Sequence, residues 1–174
     1  MKTELNRGSI SASGRSFAIV VSRWNYEFTS KLADGAVEAL KEADADEGSI
    51  DVFHVPGAFE LPLACLKAAK SGEYDAVIAL GVVIRGDTPH FDYVAGQAAS
   101  GLMRAAMQTG VPVMFGVITA DNVDQVIALC GEKADNKGYE AALSALEMAD
   151  SLREIRSRAE GRWEARKESL FDVV

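Results

Sequence analysis

The segment GVVIRGDTPHFDYV, residues 81–94, runs from an apolar stretch into a Gly-Asp-Thr-Pro turn and sets His90 beside two aromatics. An imidazole there can titrate near neutral pH and exchange protons with a group held next to it. Thr88 and the N–H groups around Gly86 and Asp87 precede a helix predicted to begin near His90, a geometry suited to an anion. These residues alone also allow His90 a structural job, capping the helix and packing on Phe91. Two other segments carry candidate chemistry. SRWNYEF offers Trp24, either an aromatic plate for a flat ring or a core or interface residue. PGAFE makes a tight turn and opens a helix whose first N–H groups are free for a polar ligand, with Phe59 and Glu60 at its start. Read singly, Glu60 is equally a favourable first-turn charge. The second histidine of the chain, His54, sits inside an apolar run and reads as a packed core or wall residue.

Such groups work only if something brings them together, and the pattern of the chain supplies a candidate. Four short apolar runs rich in β-branched residues, at 16–22, 49–55, 75–84 and 111–119, alternate with helical stretches. That alternation predicts a parallel α/β sheet with right-handed crossovers, a three-layer sandwich. Because the runs are apolar at nearly every position, both sheet faces should carry helices. Leu32, Ala36, Val37 and Leu40 fall on one stripe of the first helix. Pro62 fits the first turn of the second, which should close at Ser71-Gly72, and the third should close at Gly110. After the fourth run come a short helix, NVDQVIALC, and a long one starting near Lys137. In the long helix, Leu143, Leu146, Met148, Leu152 and Ile155 predict burial to about residue 156. In open α/β sheets ligands bind at the carboxyl ends of the strands, which is where Trp24, Phe59, Glu60 and His90 all fall.

Composition narrows the partners. With 174 residues, 48% of them hydrophobic, the chain fits one globular domain. Its 26 acidic against 18 basic residues argue against nonspecific nucleic-acid binding, leaving small molecules or copies of itself. Cys65 and Cys130 have neither metal spacing nor disulfide density and read as core thiols in a reducing compartment. No apolar run reaches the ~20 residues that span a bilayer, so no membrane partner and a cytoplasmic location are expected. The first strand-end loop lacks the glycines of a dinucleotide or P-loop motif and the hydroxyl-rich cradle of a flavodoxin-type flavin site. The domain is expected over 15–156, with an N-terminal arm at 1–14. A C-terminal extension at 157–174 reads either as a helix lying on a neighbour or as partly disordered.

Taken in order, RWN, VPGAFELP, GVVIRGDTPHFDYV, VPVMFGVIT and NKGYEAALSALEMA resemble the 6,7-dimethyl-8-ribityllumazine synthase family, over residues 14–155. The resemblance implies a flavodoxin-like three-layer α/β/α sandwich around a four-stranded parallel sheet. It also implies the condensation of 5-amino-6-(D-ribitylamino)uracil with 3,4-dihydroxy-2-butanone 4-phosphate, the penultimate step of riboflavin biosynthesis, with neither metal nor organic cofactor. By resemblance, Trp24 stands where an aromatic, usually Phe, stacks on the pyrimidine. Ala58, Phe59 and Glu60 match the segment holding ring and ribityl chain, and Val82, Val83 and Ile84 the backbone edge that reads the pyrimidine. Asp87 and Thr88 match the phosphate-binding stretch, His90 the proton donor, and Lys137 a residue near the phosphate. Phe115 matches a residue supplied by a neighbouring subunit. The family forms homopentamers, and some members a 60-subunit icosahedral shell; the short GEKADNKG connection resembles the shell-formers, although Asp135 replaces their usual glycine. One departure is chemical: the family's phosphate-pairing arginine falls on Leu129, which cannot make a bidentate charge-assisted contact. Lys133 or Lys137 are the candidates to compensate. That departure motivates the alternative of a shell-forming or ligand-binding paralogue with weakened catalysis.

Overall fold

The computed structural model describes residues 11–171; residues 1–10 of the expected arm and the last three residues lie outside them. Four strands, β1 (Phe17–Ser22), β2 (Ile50–Val55), β3 (Ala76–Ile84) and β4 (Val113–Ala120), form one parallel sheet in the order β2-β1-β3-β4. Helices α1 (Tyr26–Glu42), α2 (Leu61–Ser71) and α3 (His90–Thr109) make the crossovers, followed by the short α4 (Val123–Ile127) and the long α5 (Lys137–Phe171). Residue alternation along β1 and β3 divides the core in two. Phe17, Ile19, Val21, Ile78 and Leu80 meet α1 and α5, while Ala18, Val20, Val77 and Ala79 meet α2 and α3. This is the expected flavodoxin-like three-layer sandwich.

The local punctuation acts as its chemistry requires. Gly72 and Gly110 close α2 and α3 with φ of 80° and 70°, left-handed values that cost glycine no steric clash. Pro62 lies in the first turn of α2. Leu32, Ala36 and Leu40 are the buried stripe of α1, with Val37 half-buried against the same core. Cys65 and Cys130 are free, buried thiols, and burial pushes Cys65 up to about 12.

Two expectations fail. Helices do not cover β2: Val52, Phe53 and His54 are exposed, so His54 is not a core residue. The physical reason is position. β2 is an edge strand, and α1 and α2 both pack over β1 and β3 instead. What β2 gains is lateral, from Tyr74, whose ring meets Phe53 edge-on at 6.3 Å and whose hydroxyl donates to Asp51 Oδ2 at 2.8 Å. Secondly, α5 does not bury the whole predicted stripe. Leu146 is buried, but Leu143, Met148 and Ile155 are exposed, and the packed face is Ala141, Ala142, Ala145 and Leu146. Small residues let α5 approach α1 closely, and that close packing selects the alanine face. Asp135, in the place of the family's usual glycine, does not take left-handed dihedrals. It ends a short 3-10 turn, Lys133–Asp135, in which Lys133 is the residue with positive φ, at 44°.

The described part of the C-terminal extension is helical. α5 continues without a break to Phe171, and the residues from 153 to 163 are exposed. Its body end is tied down by Asp150, which accepts from Arg15 before β1 and from Arg153 on its own turn.

Candidate active site

The loops after β1, β2 and β3 converge on one cleft of about 570 Å³. The first of them is shaped by backbone bonds across the sheet: Arg23 N–H donates to the Val55 carbonyl at 2.8 Å and Trp24 N–H to that of Pro56 at 3.1 Å. Asn25 then takes φ of 60°, a left-handed value that Asn adopts more readily than most residues. Its carbonyl accepts from Phe28 and Thr29 N–H, and its side-chain amide donates to the Val82 carbonyl at 3.0 Å. This sharp reversal leaves Trp24 projecting, 72% exposed, over the cleft. A projecting indole on a fixed backbone is a stacking platform for a planar ring.

Opposite it, Ala58 is buried, while Phe59 and Glu60 are exposed at the start of α2. Glu60 folds back over Gly57, where an added Cβ would stand 3.2 Å from its Oε2 and 3.9 Å from Trp24 Cδ1. The carboxylate thus borders the indole and can accept from hydroxyls of a ligand lying on it. Val82 and Val83 are buried and Ile84 half-buried at the end of β3, forming the cleft floor. Beyond them, Gly86 and Thr88 line the cleft, and the N–H groups of residues 86–88 have no acceptor among the described residues. A row of unsatisfied N–H groups before a helix start suits an anion. His90, the first residue of α3, also lines the cleft, exposed and without a hydrogen-bond partner among the described residues.

Of the residues singled out in the sequence, Trp24, Ala58, Phe59, Glu60, Val82, Val83, Ile84, Thr88 and His90 meet in this cleft. The exposed Asp87 side chain does not line it. Asn25, Phe91, Tyr93 and Val94 do and were not singled out. The signal for Asn25 was available, since Asn before a helical stretch is a residue able to take a left-handed turn.

Phe115, Leu129 and Lys137 are elsewhere, in a second depression of about 410 Å³ between β4 and α5. Phe115 is 47% exposed on the outer edge strand. Leu129 is half-buried, and its carbonyl accepts from Lys137 N–H at 3.0 Å. Lys137 Nζ pairs with Glu140 Oε2 at 2.5 Å. Lys133 does not join them: it reaches back to Glu42 on α1 at 2.7 Å, and Tyr139 donates to the same carboxylate. Hydrogen bonds from Lys133 and then Tyr139 hold the Glu42 carboxyl below its usual value. Lys133 is therefore a brace between α1 and the turn before α5, and Lys137 is the cation of the second depression.

The NKG motif explains itself structurally around that lysine. Asn136, buried, accepts through Oδ1 from the N–H groups of Gly138 and Tyr139 and donates through Nδ2 to the carbonyls of Lys31 and Gly131. Gly138 lets α5 meet α1, because a Cβ there would lie 1.9 Å from the Leu32 carbonyl oxygen. Lys137, between them, starts its helix on a fixed base.

A flavodoxin-like sandwich with an aromatic cleft and anion-ready N–H groups at its strand ends defines an α/β protein with a cleft suited to a small molecule. Residues 14–153 match the model of the 6,7-dimethyl-8-ribityllumazine synthase family, and the chain belongs to that family. It is a transferase of riboflavin biosynthesis that forms 6,7-dimethyl-8-ribityllumazine from 5-amino-6-(D-ribitylamino)uracil and 3,4-dihydroxy-2-butanone 4-phosphate. The match ends at residue 153, so the exposed stretch of α5 beyond it lies outside the family region. Among the described residues no helix is long and apolar enough to cross a membrane.

Proposed function

We propose that the condensation takes place in the first cleft, completed by the second depression of a neighbouring copy in a homopentamer. What carries this reading is the separation within one chain: the ring platform and anion-ready loop line one cleft, and Phe115 and Lys137 line another. Neither alone offers an aromatic platform, an anion seat and a lysine together. In the joined site, Trp24 stacks on the pyrimidine, with Phe115 from the neighbour. The backbone of Val82, Val83 and Ile84 reads its polar edge. Ala58 and Phe59 flank the ribityl chain, and Glu60 accepts from its hydroxyls. The N–H groups around Asp87 and Thr88 hold the phosphate, with the Asp87 side chain turned away and Lys137 from the neighbour as counter-charge.

The uracil 5-amino group attacks the ketone of the butanone, and loss of water gives an imine. His90 shuttles the protons of that step and assists departure of the phosphate. Loss of phosphate with a C3 proton leaves an enol that tautomerises to a new ketone at C3; the ribitylamino nitrogen closes on that carbonyl, and a second dehydration yields the lumazine. Holding the two reactants in register can supply about 7 kcal/mol or more of the barrier reduction, and general acid–base help contributes a further ~10²–10⁴-fold.

Mixed assembly tests the shared site. His90→Ala and Lys137→Ala homomers should each be slow at forming lumazine, followed by its absorbance and fluorescence. Refolded together, they should recover activity, because some interfaces then pair an intact His90 with an intact Lys137. No recovery in verified mixed oligomers would refute the shared site. The short connection before α5, with Asp135 in ordinary backbone geometry, supports further closure of pentamers into a 60-subunit shell in the cytoplasm. Light scattering and electron microscopy of the purified protein test that step.

A further inference from the structure

We propose that Arg85 is a positioning residue for His90, holding the start of α3 where the imidazole can reach the bound reactants. The inference rests on the reading of His90 as the proton shuttle. Its starting point is how little else fixes that histidine. The imidazole has no hydrogen-bond partner among the described residues. The helix it opens has Pro89 at the N-cap position and no side-chain cap, and the N–H groups of residues 86–88 are unbonded among the described residues. Such an end is free to fray.

Arg85 supplies the missing anchor through the next two residues. Its guanidinium lies over the Phe91 ring, 4.0 Å from the centroid. Nη1 donates to Asp92 Oδ1 at 3.1 Å, and Nε donates to Asp121 Oδ1 at 2.9 Å, in the loop after β4. The Arg85 N–H is bonded to the Ala120 carbonyl at 2.8 Å, so the stem of the side chain is fixed to the sheet as well. Asp121 is itself set by its N–H, which donates to Gln125 Oε1 at 2.8 Å. A single exposed ion pair contributes little. A planar guanidinium held by two carboxylates and a ring at once is geometrically specified, which is what arginine offers over lysine. Arg85 does not line the cleft, so it acts through α3 and not on the substrate. It also ties Asp92 on α3 to Asp121 in the loop after β4.

The test is a double-mutant cycle on turnover, with each variant checked for assembly by size and for fold by circular dichroism. Arg85→Ala should lower kcat about tenfold while leaving the KM for the uracil substrate within about twofold, the pattern of a lost transition-state interaction. In a His90→Ala background the same substitution should change kcat by less than about twofold, because residues acting as a unit are non-additive. Arg85→Lys should recover part of the loss, keeping the charge without the fork. If Arg85→Ala fails to assemble, Asp121→Asn and Asp92→Asn enter the same cycle, each removing one bond. Equal losses in both backgrounds, or an unchanged kcat on the parent, would overturn the inference. A His90→Ala enzyme as fast as the parent would overturn the reading of His90 itself, and this inference with it.

Discussion

His90 and Lys137 both begin a helix that borders a binding cleft, and the two helices begin in opposite ways. α5 starts on Asn136, whose buried amide makes four hydrogen bonds to the backbone of three segments. α3 starts on Pro89 with no side-chain cap, and the N–H groups of residues 86–88 before it are open among the described residues. A buried amide with every partner satisfied gives a rigid base, since each bond would be costly to leave unmade. Open N–H groups leave the α3 end available to an anion. The lesson is a division of labour. In the proposed site, the end that offers a cation is locked by the fold, and the end assigned to phosphate and proton transfer keeps its donors free.

Breaking the locked end should have the largest effect. Gly138→Ala drives a Cβ into the Leu32 carbonyl and should destabilise the protein by more than about 3 kcal/mol, read from urea unfolding. Asn136→Ala strands buried backbone groups and should cost about 3 kcal/mol in the same assay. At the open end the loss should be in rate: His90→Ala should lower kcat about a hundredfold, with residual activity from reactant positioning and an unshifted melting temperature. An unchanged rate would remove His90 from the mechanism.

Leu129→Arg sharpens the comparison from the other side. It adds a second cation beside Lys137, whose charge is already shared with Glu140. The KM for the butanone phosphate should fall about three- to tenfold, as a charge-assisted contact is gained. A parent KM already unaffected by the substitution would mean that phosphate does not visit this position.

The smallest effect concerns the brace on the turn before α5. The Glu42 carboxyl is held below its ordinary value of 4.5 by Lys133 and Tyr139. A depressed carboxyl stabilises the fold above its unfolded value and loses that contribution as pH falls through the lower folded one. Glu42→Gln should therefore be slightly less stable than the parent at neutral pH, and the two should converge as the pH falls well below 4.5. Parallel stability curves across that range would show the brace to be electrostatically idle.

Much of this was legible in the chain. Apolar runs without alternation identify β1 and β3 because both their faces are buried, and glycines 72 and 110 mark helix ends because only glycine takes those dihedrals freely. Trp24, Phe59, Glu60, Thr88 and His90 could be grouped because strand ends of a parallel sheet share one side. The β2 run read the same as its neighbours, yet its Val52, Phe53 and His54 are exposed. Composition does not say which strand lies at an edge. Nor does an apolar stripe say which side of a helix wins: α5 buries its alanines because close approach to α1 outweighs larger side chains.

The sequence by itself therefore determined the sandwich and the strand-end loops, since each depends on residue type and local order, while the departure at Leu129 is legible only against the family's pattern. Only the tertiary structure decided that Phe115 and Lys137 stand apart from His90 within one chain, that Lys133 serves Glu42, and that Arg85 joins Asp92 to Asp121. Those are relations between distant segments, set by how helices pack on a twisted sheet, and no local pattern encodes them.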